Sequence, residues 1–203
     1  MTLRRLVLWR HGETDYNASG RMQGQLDSAL TEIGWKQARF AAPALARFTP
    51  DLVIASDLRR ATDTATVLTE AFGVPLRVDK RLRETHLGEW QGMTVTAVAE
   101  RAPADRERWR TDATWAPPGG ESRIEVAERA YEVVDDLLRG DEQVETVLLA
   151  AHGGLILALT ARLLELPVPL WPSLGGISNC HWVELGRRDE GWRLHAYNAG
   201  ITG

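Results

Sequence analysis

The sequence predicts an α/β protein: a three-layer α/β/α sandwich whose mostly parallel sheet contains an antiparallel edge strand, with a small helical cap region. Two observations carry this. Short apolar runs, among them Leu6–Trp9, Leu52–Ala55 and Thr146–Ala151, alternate with stretches of helical periodicity, the pattern of strands crossed by covering helices. At the C-terminal end, NCHWVEL and GWRLHAYN flank RRDEG, which reads as a hairpin turn and adds an antiparallel pair.

Taken in order, LRRLVLW is a strand that runs into a long polar loop through Asp27. Thr31 is a suitable N-cap for a helix with Ile33, Ala38, Ala41, Leu45 and Phe48 on one face, kinked late by Pro43. LVIAS is the second strand. It enters a helix whose apolar face is Leu58, Ala61, Ala65, Leu68 and Phe72. VPLRVDKRLRE reads as a strand leaving at Glu84, followed by a less regular polar region containing WAPPGGES. Ser122 and Glu125 form a capping box for a helix to Arg139, stopped by Gly140. TVLLAA then leads through His152-Gly153-Gly154 into the helix LILALTARLLEL. We expect one domain over residues 1–203 with a cap-like insertion at about 91–120.

Composition narrows the function. With 203 residues, 44% hydrophobic and 26% charged, the chain is long enough for a sizeable core. A net charge of −4 and the lack of a basic run argue against a nucleic-acid partner. Lys36 and Lys80 are the only lysines among 24 basic residues, so an arginine informs only through its context. Cys180 is alone, which leaves no internal disulfide and no thiolate zinc site. Its neighbour His181 points to the opposite face of a strand, against a Cys-His pair. Too few apolar residues precede Arg10 for a signal-peptide core, and no run approaches membrane-spanning length. The expectation is a cytoplasmic protein without a membrane partner; a homodimer stays open.

Three strand ends carry similar groups. Arg10 and His11 follow the first, Ser56, Arg59 and Arg60 the second, and His152 the third. In an open α/β sheet ligands bind beyond the carboxyl ends of the strands, where these groups would converge. Two of the segments also open helices, whose free N–H groups favour an anion. Two histidines, two arginines and two helix N-termini suit a dianion, phosphate before carboxylate. A neutral histidine can attack phosphorus, arginines steady the equatorial oxygens, and Glu84 is the natural acid for the departing alkoxide. Arg59 reads as an ion-pair partner on its helix face, and His181 and His195 as structural.

RHGETDYN at 10–17, RMQGQLDSALTEIGWKQA at 21–38, SDLRRATDTA at 56–65, RLRETHLGEWQG at 81–92, GGES at 119–122 and AHGG at 151–154 occur in one order. In these pieces the chain resembles the histidine phosphatase superfamily, also called phosphoglycerate-mutase-like. The resemblance implies that His11 is the nucleophile that becomes phosphohistidine. It implies that Arg10, Arg60 and His152 hold the phosphoryl group, that Glu84 is the proton donor, and that no metal or other cofactor takes part. Asn17 and Gln23 match positions lining the phosphate pocket; Gly24 and Gly153 are further candidate substrate contacts, the two glycines after His152 permitting close backbone approach to an anion. There are departures: Asp57 where proline is commoner, Gln91 for glutamate, and Ala151 for serine or threonine.

The loops DATWAPPGGES and LPVPLWPSLGG resemble, within that superfamily, the branch acting on glucosyl-3-phosphoglycerate. The implied partner is therefore a small phosphorylated metabolite, a sugar phosphoglycerate. It would need a second anion contact, with Arg21, His86 and Arg123 as candidates, and a surface for glucose, with Trp115 as candidate. A mutase, a broad-specificity phosphatase and a non-catalytic phospho-ligand module remain as alternatives.

Overall fold

The computed structural model describes residues 3–189 and 191–201. Six strands, β1 (Arg5–Arg10), β2 (Leu52–Ala55), β3 (Leu76–Val78), β4 (Thr146–Ala151), β5 (Trp182–Arg188) and β6 (Gly191–Ala199), form one sheet in the order β3-β2-β4-β1-β5-β6. The first four strands of that order are parallel to one another. β5 runs antiparallel to both β1 and β6, so the terminal hairpin is the antiparallel edge. Glu190, in the expected turn RRDEG, lies outside the described residues.

Period-two alternation divides the central strands between two cores. Val7, Trp9, Val53, Ala55, Leu148 and Ala150 face one layer, with Ala38, Ala41 and Leu45 of α2 (Glu32–Ala46) and Ala65 and Leu68 of α3 (Arg59–Phe72). Leu6, Leu8, Leu52, Ile54, Val147 and Leu149 face the other, with α6 (Arg123–Arg139) and α7 (Gly153–Leu163). Full burial of each of these Leu, Ile and Val side chains contributes about 1.5–3 kcal/mol. The remaining helices are α1 (Asp15–Ala18), α4 (Val95–Arg101) and α5 (Pro103–Thr111). Around α4 and α5, Met22, Leu87, Trp90 and Val98 form a small separate cluster that Met93, Trp109 and Trp115 pack against.

Local signals explain most boundaries. Ser122 and Glu125 make the reciprocal capping box of α6, and Gly140 is its C-cap. Pro43 lies inside α2 without ending it. The buried face of α2 runs through Gly34, Ala38, Ala41 and Leu45 rather than Ile33, which is exposed. Gly34 packs its backbone against that of Glu13, a contact no side chain would allow. Phe72, the last residue of α3, is exposed as well.

The strand expected to reach Glu84 stops at Val78. Asp79 accepts the Arg81 N–H and starts a 3-10 turn at Lys80–Leu82, so the chain turns before the sheet can carry Glu84. Among the described residues no helix is long and apolar enough to cross a membrane.

Candidate active site

The register of β1 on β4 builds the centre. Arg10 pairs with Ala151, and the His11 N–H donates to the Ala151 carbonyl at 3.0 Å. The next residue after Ala151 is His152, so two histidines emerge side by side from the carboxyl ends of adjacent parallel strands. Their ring centroids are 5.2 Å apart and the planes tilt by 58°. Both side chains are buried.

Hydrogen bonds fix different tautomers on the two rings. His11 Nδ1 lies 2.7 Å from the Gly12 carbonyl, an acceptor, so Nδ1 carries the proton and Nε2 keeps its lone pair. On His152, Nδ1 accepts the Nε–H of Arg60 at 3.2 Å. The ring proton is therefore on Nε2, which is buried without a hydrogen-bond partner. One ring offers a lone pair and the other a donor. Burial, then the neighbouring arginines, hold His11 well below its ordinary pKa; for His152 burial again leads, followed by Arg60 and His11.

Arg60 is fully buried and spends its other nitrogens on the Gly24 and Leu26 carbonyls, both at 2.8 Å. Burial lowers its pKa to about 10. Arg10 donates to the Ile177 carbonyl at 2.5 Å, while its Nε is buried without a partner; burial lowers its pKa too. Neither arginine pairs with a carboxylate among the described residues. Two desolvated cations that feel Glu84, and for Arg60 also Asp27, only through space are costly to hold and define a place for an anion.

Of these groups Arg10, His11 and Arg60 line a cavity of about 230 Å³, while His152 lies behind them, with its ring beside that of His11. Arg10, His11, Asn17, Arg21, Gln23, Gly24, Arg60, Glu84 and Gly154 form its polar wall, and Met22, Leu87, Val95 and Trp109 its apolar wall. Asn17 Oδ1 accepts from Thr14 and from Asn179, and Gln23 Oε1 accepts from Ser28, which leaves both amide nitrogens for a ligand. Gly24 adopts φ +53°, a backbone geometry that favours glycine.

Glu84 reaches the site from its loop. One carboxylate oxygen accepts the N–H of Thr85 at 2.8 Å and of Leu155 at 3.1 Å; the other accepts the N–H of Gly154 at 3.0 Å. The carboxylate thus takes up donors that the start of α7 leaves free. A Cβ on Gly154 would sit 2.6 Å from that carboxylate, so a side chain here would push Glu84 from its place. Gly153 passes beside Arg10, a Cβ there falling 3.4 Å from Nε.

The remaining candidates are placed differently. Arg21 lines the cavity but ties its guanidinium to the Gly92 carbonyl. His86, Trp115 and Arg123 are not among the residues lining the cavity. His86 Nδ1 accepts the Gly88 N–H, Trp115 packs on Trp90 with ring centroids 5.5 Å apart, and Arg123 lies over the Trp109 ring. Arg59 pairs with Asp63 one turn on, as expected of a helix-face residue. Trp109 and Asn179 escaped the sequence reading. Trp109 sits in a charged helix, RERWRT, with no apolar periodicity to single it out, and Asn179 follows a loop with no motif.

Among the described residues no three His, Cys, Asp or Glu side chains converge as a metal site.

The family model of the histidine phosphatase superfamily (branch 1) matches residues 6–200. Glucosyl-3-phosphoglycerate phosphatase of Mycobacterium tuberculosis is 51% identical over 214 residues, covering 98% of this chain and 96% of the relative. The protein of that name from Mycolicibacterium vanbaalenii is 50% identical over 218 residues, with the same coverage of 98% and 96%. A solved structure of mycobacterial glucosyl-3-phosphoglycerate phosphatase with VO3 superposes with a TM-score of 0.92 at 52% identity, covering 97% of this chain and 100% of that one.

Proposed function

The chain belongs to the histidine phosphatase superfamily, and we propose that it hydrolyses a phosphomonoester by double displacement through phosphohistidine at His11, with glucosyl-3-phosphoglycerate as the substrate. The observation that carries the chemistry is the opposed pair of tautomers, a lone pair on His11 Nε2 beside a partnerless N–H on His152 Nε2.

The substrate phosphoryl group enters among Arg10, Arg60 and His152. Its oxygens take the unpartnered donors of Arg10 and His152, with the amide nitrogens of Asn17 and Gln23 alongside. His11 Nε2 attacks phosphorus in line as the bond to the alcohol oxygen breaks. Positive charge develops on the ring, and the Gly12 carbonyl receiving Nδ1–H stabilises it. The equatorial oxygens gain charge in the transition state, where fixed donors in a desolvated site act most strongly. Glu84 gives its proton to the departing alkoxide. Water then attacks phosphohistidine, Glu84 takes the water's proton, and the P–N bond breaks to release inorganic phosphate and neutral His11. No step requires a metal ion, since the two arginines supply the positive charge and the neutral His152 ring a further N–H donor.

Several observations support the substrate. The identity to the two mycobacterial phosphatases is about one residue in two over nearly the whole chain. We read residues 91–120 as a cap over the alcohol, because Val95 and Trp109 of that segment line the same cavity as Arg10, His11 and Arg60. That wall is suited to the non-reacting part of a sugar phosphoglycerate. Binding there lowers the barrier if it is realised in the transition state. The cytoplasm is the proposed site of action, where a polar phosphorylated metabolite of this kind is retained.

Phosphate release measured with glucosyl-3-phosphoglycerate, 3-phosphoglycerate, 4-nitrophenyl phosphate and a nucleotide tests this. The expected result is a kcat/KM for the first that exceeds the others by about tenfold, or ~1.4 kcal/mol. A faster unrelated ester would overturn the substrate assignment and leave the phosphatase assignment standing. Transfer of the phosphoryl group back to the product in place of release would mark a mutase.

A further inference from the structure

Glu84 stands six residues beyond the end of β3, so the sheet does not fix it. Its peptide is held instead by a side chain of α6. Arg129 Nη1 donates to the carbonyls of Arg81 and Arg83, each at 2.7 Å. Nη2 donates to the carbonyl of Glu84 itself at 3.0 Å. The two remaining N–H groups, on Nε and Nη2, form a bidentate pair with Glu121 at 2.8 and 2.9 Å. A guanidinium has five donors, and all of them are in use.

Glu121 extends the same clamp on the other side of Glu84. Its Oε2 also accepts the His86 N–H at 2.7 Å and lies 3.5 Å from Gln25 Nε2, which donates to the Glu84 carbonyl at 3.1 Å. Burial works against the charge of Glu121, but Arg129 and the His86 N–H outweigh it and hold the carboxyl below its ordinary range. Residues 81, 83, 84 and 86 are thereby tied to one ion pair, and Gln25 joins it to the loop whose carbonyls hold Arg60. Neither Arg129 nor Glu121 is among the residues lining the cavity.

We infer that Arg129, paired with Glu121, is a positioning residue that aims the Glu84 carboxyl at the leaving oxygen. The inference rests on reading Glu84 as the proton donor. Proton transfer demands a heavy-atom approach of roughly 2.6–3.2 Å, and a loop released from three carbonyl contacts would lose that placement. Lysine cannot substitute, because an ammonium has three donors and no planar fork to span three carbonyls and a carboxylate.

The test compares Arg129→Lys, Glu121→Gln, Glu84→Gln and the Glu84→Gln/Arg129→Lys double variant. Each is assayed on 3-phosphoglycerate, whose leaving group is an alkoxide, and on 4-nitrophenyl phosphate, whose leaving group hardly needs a proton. The readout is kcat/KM, which reports the steps through transfer to His11, with vanadate inhibition as a check on the phosphoryl pocket. Arg129→Lys is expected to lower the alkyl ester about tenfold or more beyond the aryl ester, within the range ascribed to general acid catalysis. Vanadate inhibition stays unchanged, and in the Glu84→Gln background the extra leaving-group effect disappears. Equal losses on both esters, or an effect that persists without Glu84, would overturn the inference. If Arg129→Lys does not fold, Glu121→Gln answers the same question, since it weakens the clamp and keeps its shape. If Glu84→Gln itself shows no leaving-group dependence, the proton-donor reading fails instead.

Discussion

Arg60 donates its Nε–H to Nδ1 of His152 across 3.2 Å, and the same guanidinium holds the carbonyls of Gly24 and Leu26. One side chain thus sets the proton on the His152 ring and the shape of the neighbouring loop.

That relationship predicts the effect of Arg60→Lys. An ammonium cannot serve the ring nitrogen and both carbonyls in one planar geometry, so His152 loses the constraint on its tautomer. We expect kcat/KM to fall by about 10²–10³-fold, as for loss of an oriented transition-state donor. Nitrogen NMR of the wild-type ring should show the proton on Nε2. A proton on Nδ1 in the free enzyme would remove the basis of this prediction.

Stability should fall as the pH drops below neutrality. His11 and His152 are held neutral mainly by burial, with folded pKa values well below 6.5. The unfolded chain takes up protons as the pH passes down through 6.5, and the folded chain refuses them. Stability from this source is complete above about pH 6.5 and is lost below it, approaching ~1.4 kcal/mol per pH unit for each histidine. Denaturant titrations between pH 7 and 5.5 should give a steeper loss for wild type than for His11→Ala. Parallel curves would mean that His11 protonates freely in the folded protein.

Trp109 should matter more to the substrate than Trp115 does. Trp109 lines the cavity, whereas Trp115 packs against Trp90 outside that lining. Trp109→Leu is expected to lower kcat/KM for glucosyl-3-phosphoglycerate by about tenfold more than for 4-nitrophenyl phosphate, because only the larger ester reaches the cap. A larger selective loss from Trp115→Leu would reverse the assignment.

The sequence makes the histidine pair legible because its carriers are unambiguous. Leu6–Trp9 and Thr146–Ala151 are continuous apolar runs that only a buried strand explains, and each ends next to a charged group or a histidine. Glu84 was legible as a residue but not in its placement: VPLRV yields a three-residue edge strand and the loop does the rest. The Arg129 clamp left no signal, since most of its acceptors are backbone carbonyls and any residue supplies those. Ile33 was misassigned because glycine carries no hydrophobic signal, and Gly34 is the residue that packs inward. Trp109 was hidden for the opposite reason, being one aromatic residue in a charged helix.

Activity should survive chelators and be abolished by vanadate. In the proposed site the positive charge that meets the phosphoryl oxygens comes from Arg10 and Arg60, with a neutral imidazole N–H donating beside them, and EDTA removes none of these. Vanadate adopts the trigonal-bipyramidal geometry of phosphoryl transfer and should bind at His11. Activity lost in EDTA and restored by Mg²⁺ or Zn²⁺ would point to metal-assisted hydrolysis.

The proposed mechanism requires that the phosphoryl group become bonded to His11 during turnover. Rapid quench into alkali after mixing with phosphorus-labelled substrate, followed by peptide mapping, tests it directly. One labelled site is expected, His11, stable to alkali and lost in acid, and no label in His11→Ala, whose turnover is nearly abolished while its fold is kept. Label on another residue, or a His11→Ala enzyme retaining about a tenth of wild-type kcat, would contradict it.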